Sequence, residues 1–127
     1  MTAYERGNYL ERRAADKLRH DGYTCWQTRG SKTPADIIAA KPGQLLLVQV
    51  KAGLATITHD EWNNLLATAT RAGAIPIVAD RLKRGVIRWR RITHAHQPNS
   101  RDWPAVDWHA DQVAAAMARH PAGRNRP

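Results

Sequence analysis

Between Gln44 and Lys51 the chain reads Gln-Leu-Leu-Leu-Val-Gln-Val-Lys, and this segment limits the fold more than any other. Four apolar residues in a row, Leu45 to Val48, break the in–out alternation of a strand with one wet face. The segment therefore reads as a central strand covered on both faces, which calls for a sheet with helices packed on it. The flanking sequence supplies both. A first helix is expected over residues 4 to 20, where Leu10, Ala14 and Leu18 recur every fourth position with Ala15 beside them, and Asp21-Gly22 ends it. A second starts at Thr58, where Glu61 completes a capping box. It carries the stripe Trp62, Leu65, Leu66 and Ala69 and stops at Gly73.

Four further strands are expected: Tyr23–Gln27, Asp36–Ala40, Ile75–Ala79 and Val86–Arg91. Lys41-Pro42-Gly43 turns the chain between the second strand and the central one. Pro76 cannot donate to a ladder, which argues for an edge position or a late start for its strand. The order is α-β-β-β-α-β-β, a mixed α/β sheet flanked by helices. Residues 1–92 form one domain on this reading. Residues 93–127 form a C-terminal extension with a short helix near Ala110 to Arg119, packed on the same domain or at a dimer interface.

With 127 residues, 43% of them apolar, the chain can bury a real core. Its net charge of +9, from 20 Lys and Arg against 11 Asp and Glu, points to a polyanionic partner, because cations gather free energy by releasing counterions from phosphates. No long apolar run or Lys-rich amphipathic helix supports a membrane instead. The N-terminus has no apolar signal segment, so a cytoplasmic location is expected. Cys25 is the single cysteine, which excludes an internal disulfide and a cysteine-cluster zinc site; it reads as a small buried side chain.

The chemistry concentrates in Pro34-Ala35-Asp36 and Gln49-Val50-Lys51. Alternation puts Gln49 and Lys51 on one face of the central strand, and pairing with the preceding strand brings Asp36 near them. Glu11 falls inside the apolar sector of the first helix, not opposite it. Two carboxylates (Glu11, Asp36), the Gln49 amide oxygen and the Val50 carbonyl would line a site with oxygen. Such a site suits Mg²⁺, with Mn²⁺ as a substitute. A lysine beside the ion can orient a water or stabilise charge on a phosphate. Taken singly, Asp36 could cap a turn, Lys51 could be a solvated strand end, Glu11 could pair with a neighbouring Arg, and Gln49 could be a plain strand residue. Convergence on one ion accounts for them jointly.

In this order the residues also resemble a family. Arg6-Gly7-Asn8-Tyr9-Leu10-Glu11-Arg12, Gly22-Tyr23, Arg29-Gly30-Ser31-Lys32, Pro34-Ala35-Asp36 and Gln49-Val50-Lys51 are similar to the archaeal-type Holliday junction resolvases of the PD-(D/E)XK nuclease superfamily. The resemblance covers roughly residues 4 to 92. It implies a restriction-endonuclease-like fold and a Mg²⁺-dependent homodimer that nicks two strands of a four-way DNA junction. It makes Glu11 the helical acid, Asp36 the strand acid and Lys51 the catalytic lysine. It places Ser31 in the loop near the scissile phosphate and Arg6 in a basic stretch on DNA. Arg12, Arg29, Lys32 and Arg84 extend that expected DNA surface, and the alternation of Arg88 and Arg90 makes one face of the last strand basic. Two departures stand out: Ala35 separates Pro34 from Asp36, and Gln49 replaces the usual acid, which removes one negative charge from the site. A nuclease of the same fold acting on flaps, mismatches or duplex ends, or a non-cleaving DNA-binding subunit, are the alternative readings. Outside the site, Trp26, Trp62 and Trp89 are expected in the core, Trp103 and Trp108 at a dimer contact, and His94 with His96 in a solvated polar turn.

Overall fold

The computed structural model describes residues 2–28, 33–51, 57–81 and 86–109. Its elements are α1 (Ala3–His20), β1 (Thr24–Gln27), β2 (Ile37–Lys41), β3 (Gln44–Lys51), α2 (His59–Ala72), β4 (Ile75–Arg81), β5 (Ile87–Ile92) and β6 (Ala105–Asp107). The strands form one sheet in chain order, β1-β2-β3-β4-β5-β6. Every neighbouring pair is antiparallel except β3 and β4, which run parallel and are joined through α2. A parallel pair needs such a crossover, and the helix of the crossover covers the sheet.

Local chemistry fixes the elements. Thr2 and Thr58 cap the two helices, each answered by a glutamate three residues on, Glu5 and Glu61. Gly73 ends α2 with φ 68°, a left-handed cap that a residue with a Cβ adopts only at a cost. Lys41 faces Gln44 across the Pro42-Gly43 turn, where proline presets the first turn position and Gly43, at φ 75°, takes the second.

The alternation of β3 divides the core into two layers. Leu46 and Val48 join Ala14, Ala15 and Leu18 of α1, together with Ile37, Ile77 and the thiol-bearing Cys25. Leu47 joins Trp62, Leu65 and Ala69 of α2, with Val78 and Ile92. β3 is thus buried on both faces, as its apolar run requires.

Several expectations are corrected. β4 is an interior strand, between β3 and β5, and not an edge. Pro76 is its second residue, so the missing N–H falls where the ladder has only begun. Trp108 is buried and packs against Tyr23 and Trp89, with ring centroids 6.4 and 6.2 Å apart. Trp103 meets Trp62 edge-on at 5.2 Å. Trp108 belongs to the core and half-buried Trp103 packs against that core, because the segment after β5 returns to add β6 to the sheet. His96 is buried rather than solvated: it stacks on Trp103 at 3.6 Å, bonds the Ser100 carbonyl at 2.9 Å and meets His59 Nδ1 at 2.7 Å. Trp26, expected in the core, is 54% exposed, since α2 packs over β3 and β4 and leaves β1 open on that side. The expected short helix near Ala110 to Arg119 lies outside the described residues.

The two tryptophans make the packing testable. Trp62 has no exposed surface and its Nε1–H donates to the His94 carbonyl at 3.0 Å. Trp62→Ala is expected to cost about 3–5 kcal/mol in denaturant unfolding, and Trp26→Ala less than about 0.5 kcal/mol. Equal losses would contradict this division.

Candidate active site

Asp36 is carried in by the pairing of β2 with β3. One residue before β2, its backbone N–H donates to the Val48 carbonyl at 2.8 Å, which continues the ladder. Its side chain then lies along β3, and Oδ2 accepts the Val50 N–H at 2.7 Å. A carboxylate receiving a backbone donor is held in orientation as well as in place. Burial pushes the Asp36 carboxyl above its ordinary pKa. The Val50 N–H opposes that, the negative charge of Glu11 adds to it, Lys51 opposes it, and Glu61 adds to it. These four side chains therefore act on one another electrically.

Gln49 and Lys51 share the α2 side of β3 with Asp36, as alternation requires. Asp36, Gln49, Glu61, Thr33 and Pro34 line a cavity of about 560 Å³. Lys51 stands beside that cavity, tied to one of its walls. Its Nζ donates to Glu61 Oε2 at 2.7 Å, while Glu61 Oε1 accepts the Thr58 N–H at 2.9 Å. One glutamate thus caps α2 and holds the lysine. Burial works to raise the Glu61 pKa, but the bonds from Lys51 and Thr58 and the charge of Lys51 outweigh it, and the net shift is downward. Glu11 approaches from α1, half-buried, with Oε1 accepting Gln27 Nε2–H at 3.1 Å.

Asp36, Gln49 and Lys51 are thus brought together, with Glu11 within electrostatic reach. Glu61 was legible only as a helix cap, and nothing in its spacing says that its second oxygen takes Lys51. Ser31, Arg29, Lys32 and Arg84 lie outside the described residues, as does the side chain of Arg6. Arg12 is exposed on α1.

Among the described residues, no three His, Cys, Asp or Glu side chains converge into a ready-made metal cage. The side chains that line the cavity around Asp36 offer oxygen, the carboxylates of Asp36 and Glu61 and the amide of Gln49, and the charge of Glu11 is felt there. This donor set fits a hard divalent cation that keeps several waters, and it does not fit a zinc cage. A buried carboxylate whose charged form is disfavoured is also one that a cation relieves.

A family model described as archaeal Holliday junction resolvase (Hjc) matches residues 2–104. Among solved structures, the chain is similar to Hjc, a Holliday junction resolvase from the archaeal hyperthermophile Archaeoglobus fulgidus. The TM-score is 0.63 at 22% identity, covering 81% of this chain and 98% of that one. It is also similar to a bacterial homing endonuclease, I-Ssp6803I, with TM-score 0.53 at 9% identity over 99% of this chain and 100% of the other. At these identities the structural likeness shows a shared restriction-endonuclease-like fold. A search of curated protein sequences returned no match.

The state of Asp36 gives a stability test. A carboxyl whose folded pKa is raised contributes stability below the ordinary aspartate pKa and loses it as pH climbs through the raised value. Without divalent metal at neutral pH, Asp36→Asn is therefore expected to melt at a higher temperature than the wild type. The gap should close toward acid pH. A lower melting temperature for the variant at neutral pH would contradict a disfavoured buried carboxylate.

Proposed function

The chain belongs to the archaeal Holliday junction resolvase family, and from that premise we propose how its own residues perform the reaction. The activity is that of a structure-selective, divalent-metal-dependent DNA endonuclease acting on four-way junctions. The observation that best supports the residue roles is the Asp36 carboxylate held on the Val50 N–H, between Gln49 and Lys51 on one strand face.

On this reading Asp36, Glu11, the Gln49 amide oxygen and the Val50 carbonyl hold the ion, which is Mg²⁺, with Mn²⁺ as a substitute. Bound there, the ion supplies Lewis-acid stabilisation of phosphate charge and lowers the pKa of a water. Lys51 orients the attacking water and offsets charge that develops on the phosphate. Glu61 sets the position of Lys51 by holding its ammonium at 2.7 Å, so that the lysine does not swing into solvent. Ser31 approaches the scissile phosphate, and Arg6, Arg12, Arg29, Lys32 and Arg84 contact the DNA backbone. The protein acts in the cytoplasm as a homodimer. Two coordinated nicks need two sites, and an isologous pair matches the two-fold symmetry of a junction. Among the described residues, no helix is long and apolar enough to cross a membrane.

The test is cleavage of a synthetic four-way junction in Mg²⁺ and in Mn²⁺, beside linear duplex and flap controls, with Asp36→Asn as the comparison. The wild type should nick the junction in preference to the controls. Asp36→Asn should lose cleavage by several orders of magnitude, because the metal's contribution amounts to several kcal/mol of barrier, while it still binds the junction. Cleavage by the variant at the wild-type rate would overturn the assignment.

A further inference from the structure

Across β3, β4 and β5, the face of the sheet that holds Lys51 carries a second charged group. In the register of the sheet, Lys51 on β3 lies beside Asp80 on β4, and Asp80 beside Arg88 on β5. Directly opposed residues share a face, so the three form one row across the sheet, about 10 Å from end to end at two strand spacings. Arg90 stands on the same face two residues along β5 from Arg88. The Asp80 carboxylate accepts Arg88 through Nε and Nη2 at 2.9 and 2.5 Å and Arg90 through Nη2 at 3.3 Å. With Lys51, Ile57 and Trp103, these three residues line a cavity of about 300 Å³. Lys51 lines this cavity and, through its bond to Glu61, adjoins the one that holds Asp36 and Gln49.

The charges here do not balance. Lys51 is matched by Glu61, but one carboxylate, Asp80, serves two guanidinium groups. Asp107 faces Arg90 across β5 and β6 and its charge favours the charged form of both arginines, but it is exposed and forms no ion pair with either among the described residues, so solvent weakens its compensation. Arg90 Nε is buried with no hydrogen-bond partner among the described residues. Burial lowers the Arg90 pKa, an effect that the charge of Asp80 opposes. The Asp80 bond instead dominates at Arg88 and raises its pKa. Arg90 is the arginine with an unpartnered Nε, and its charge is compensated only by the shared Asp80 and the exposed Asp107. Asp80 fixes both forks in advance, which reduces the ordering cost of capturing an anion.

We propose that this cavity is a binding site for a second phosphodiester of the DNA strand being cut, taken by Arg90 and Arg88 beside Lys51. A phosphodiester carries one negative charge and planar-accessible oxygens that suit a guanidinium fork. One such group completes the compensation that the shared Asp80 and the exposed Asp107 leave partial at Arg88 and Arg90. Trp103 and Ile57 exclude water on the inner side, which strengthens the contact. The inference rests on the nuclease reading of the Asp36 site, and it places the bound strand across the sheet from β3 toward β5.

The experiment scans single methylphosphonates, which are neutral, along the phosphates flanking the scissile one in a four-way junction. Binding is measured with wild type, Arg90→Gln and Arg90→Lys, and melting temperatures verify that each is folded. At one flanking phosphate, neutralisation should weaken wild-type binding roughly tenfold, as expected for a charged hydrogen bond. The same substitution should weaken Arg90→Gln hardly at all. Arg90→Lys keeps the charge and should retain part of the sensitivity. On unmodified junction, Arg90→Gln should also lower the slope of log affinity against log salt by about one. If every flanking methylphosphonate costs wild type and Arg90→Gln equally, the site does not exist. Wild-type cleavage of the unmodified junction, read in the same series, reports separately on the Asp36 site.

Discussion

The hydrogen bond from the Val50 N–H to the Asp36 carboxylate, at 2.7 Å, is the contact on which the rest of the site depends. It belongs to the sheet as much as to the chemistry. β2 and β3 pair in the register that sets Ile37 opposite Val48, and the ladder bond from Asp36 N–H to the Val48 carbonyl carries that register one residue further. A slip of one residue would turn Gln49 and Lys51 to the α1 side and leave Asp36 against an apolar layer. The burial of Leu46 and Val48 on one face and of Leu47 on the other forbids that slip. Packing of the core therefore sets the geometry of the acid and the lysine.

The site is assembled from elements that would each stand without it. α2 needs a cap and takes Glu61. The same glutamate then restrains Lys51, so the position of the lysine is tied to the start of the helix that bridges β3 and β4. α1 needs an apolar stripe, and Glu11 sits in that stripe beside Gln27 instead of facing water. Gln49 is the weak point. On the proposed reading, an amide oxygen would donate to a cation without supplying charge, so the attraction for a divalent ion would fall on fewer carboxylates, one of which already resists ionisation.

Much of this was legible in the sequence. The apolar run of β3, the capping box at Thr58 and Glu61, and the Pro42-Gly43 turn each announce their element, and the period of two places Gln49 with Lys51. What escaped were relations across distance. A tryptophan's neighbours cannot be read from a polar segment, so Trp103 and Trp108 looked external until the chain after β5 was seen to return as β6. Trp26 carries every local mark of a core residue, and its exposure follows only from where α2 stops covering the sheet. Arg88 and Arg90 declare a basic face, but Asp80, which holds both, is eight and ten residues away on another strand. The second bond of Glu61 was hidden for the same reason.

The most direct measurement is the affinity of the metal-binding site for Mn²⁺, followed by electron paramagnetic resonance of the free ion, in wild type and Gln49→Glu. If Asp36 and residue 49 face the same ion, the added carboxylate supplies charge that a hard cation favours, and binding should tighten about tenfold or more. An unchanged affinity in a folded Gln49→Glu protein would contradict the account, because residue 49 would then not face the ion at all.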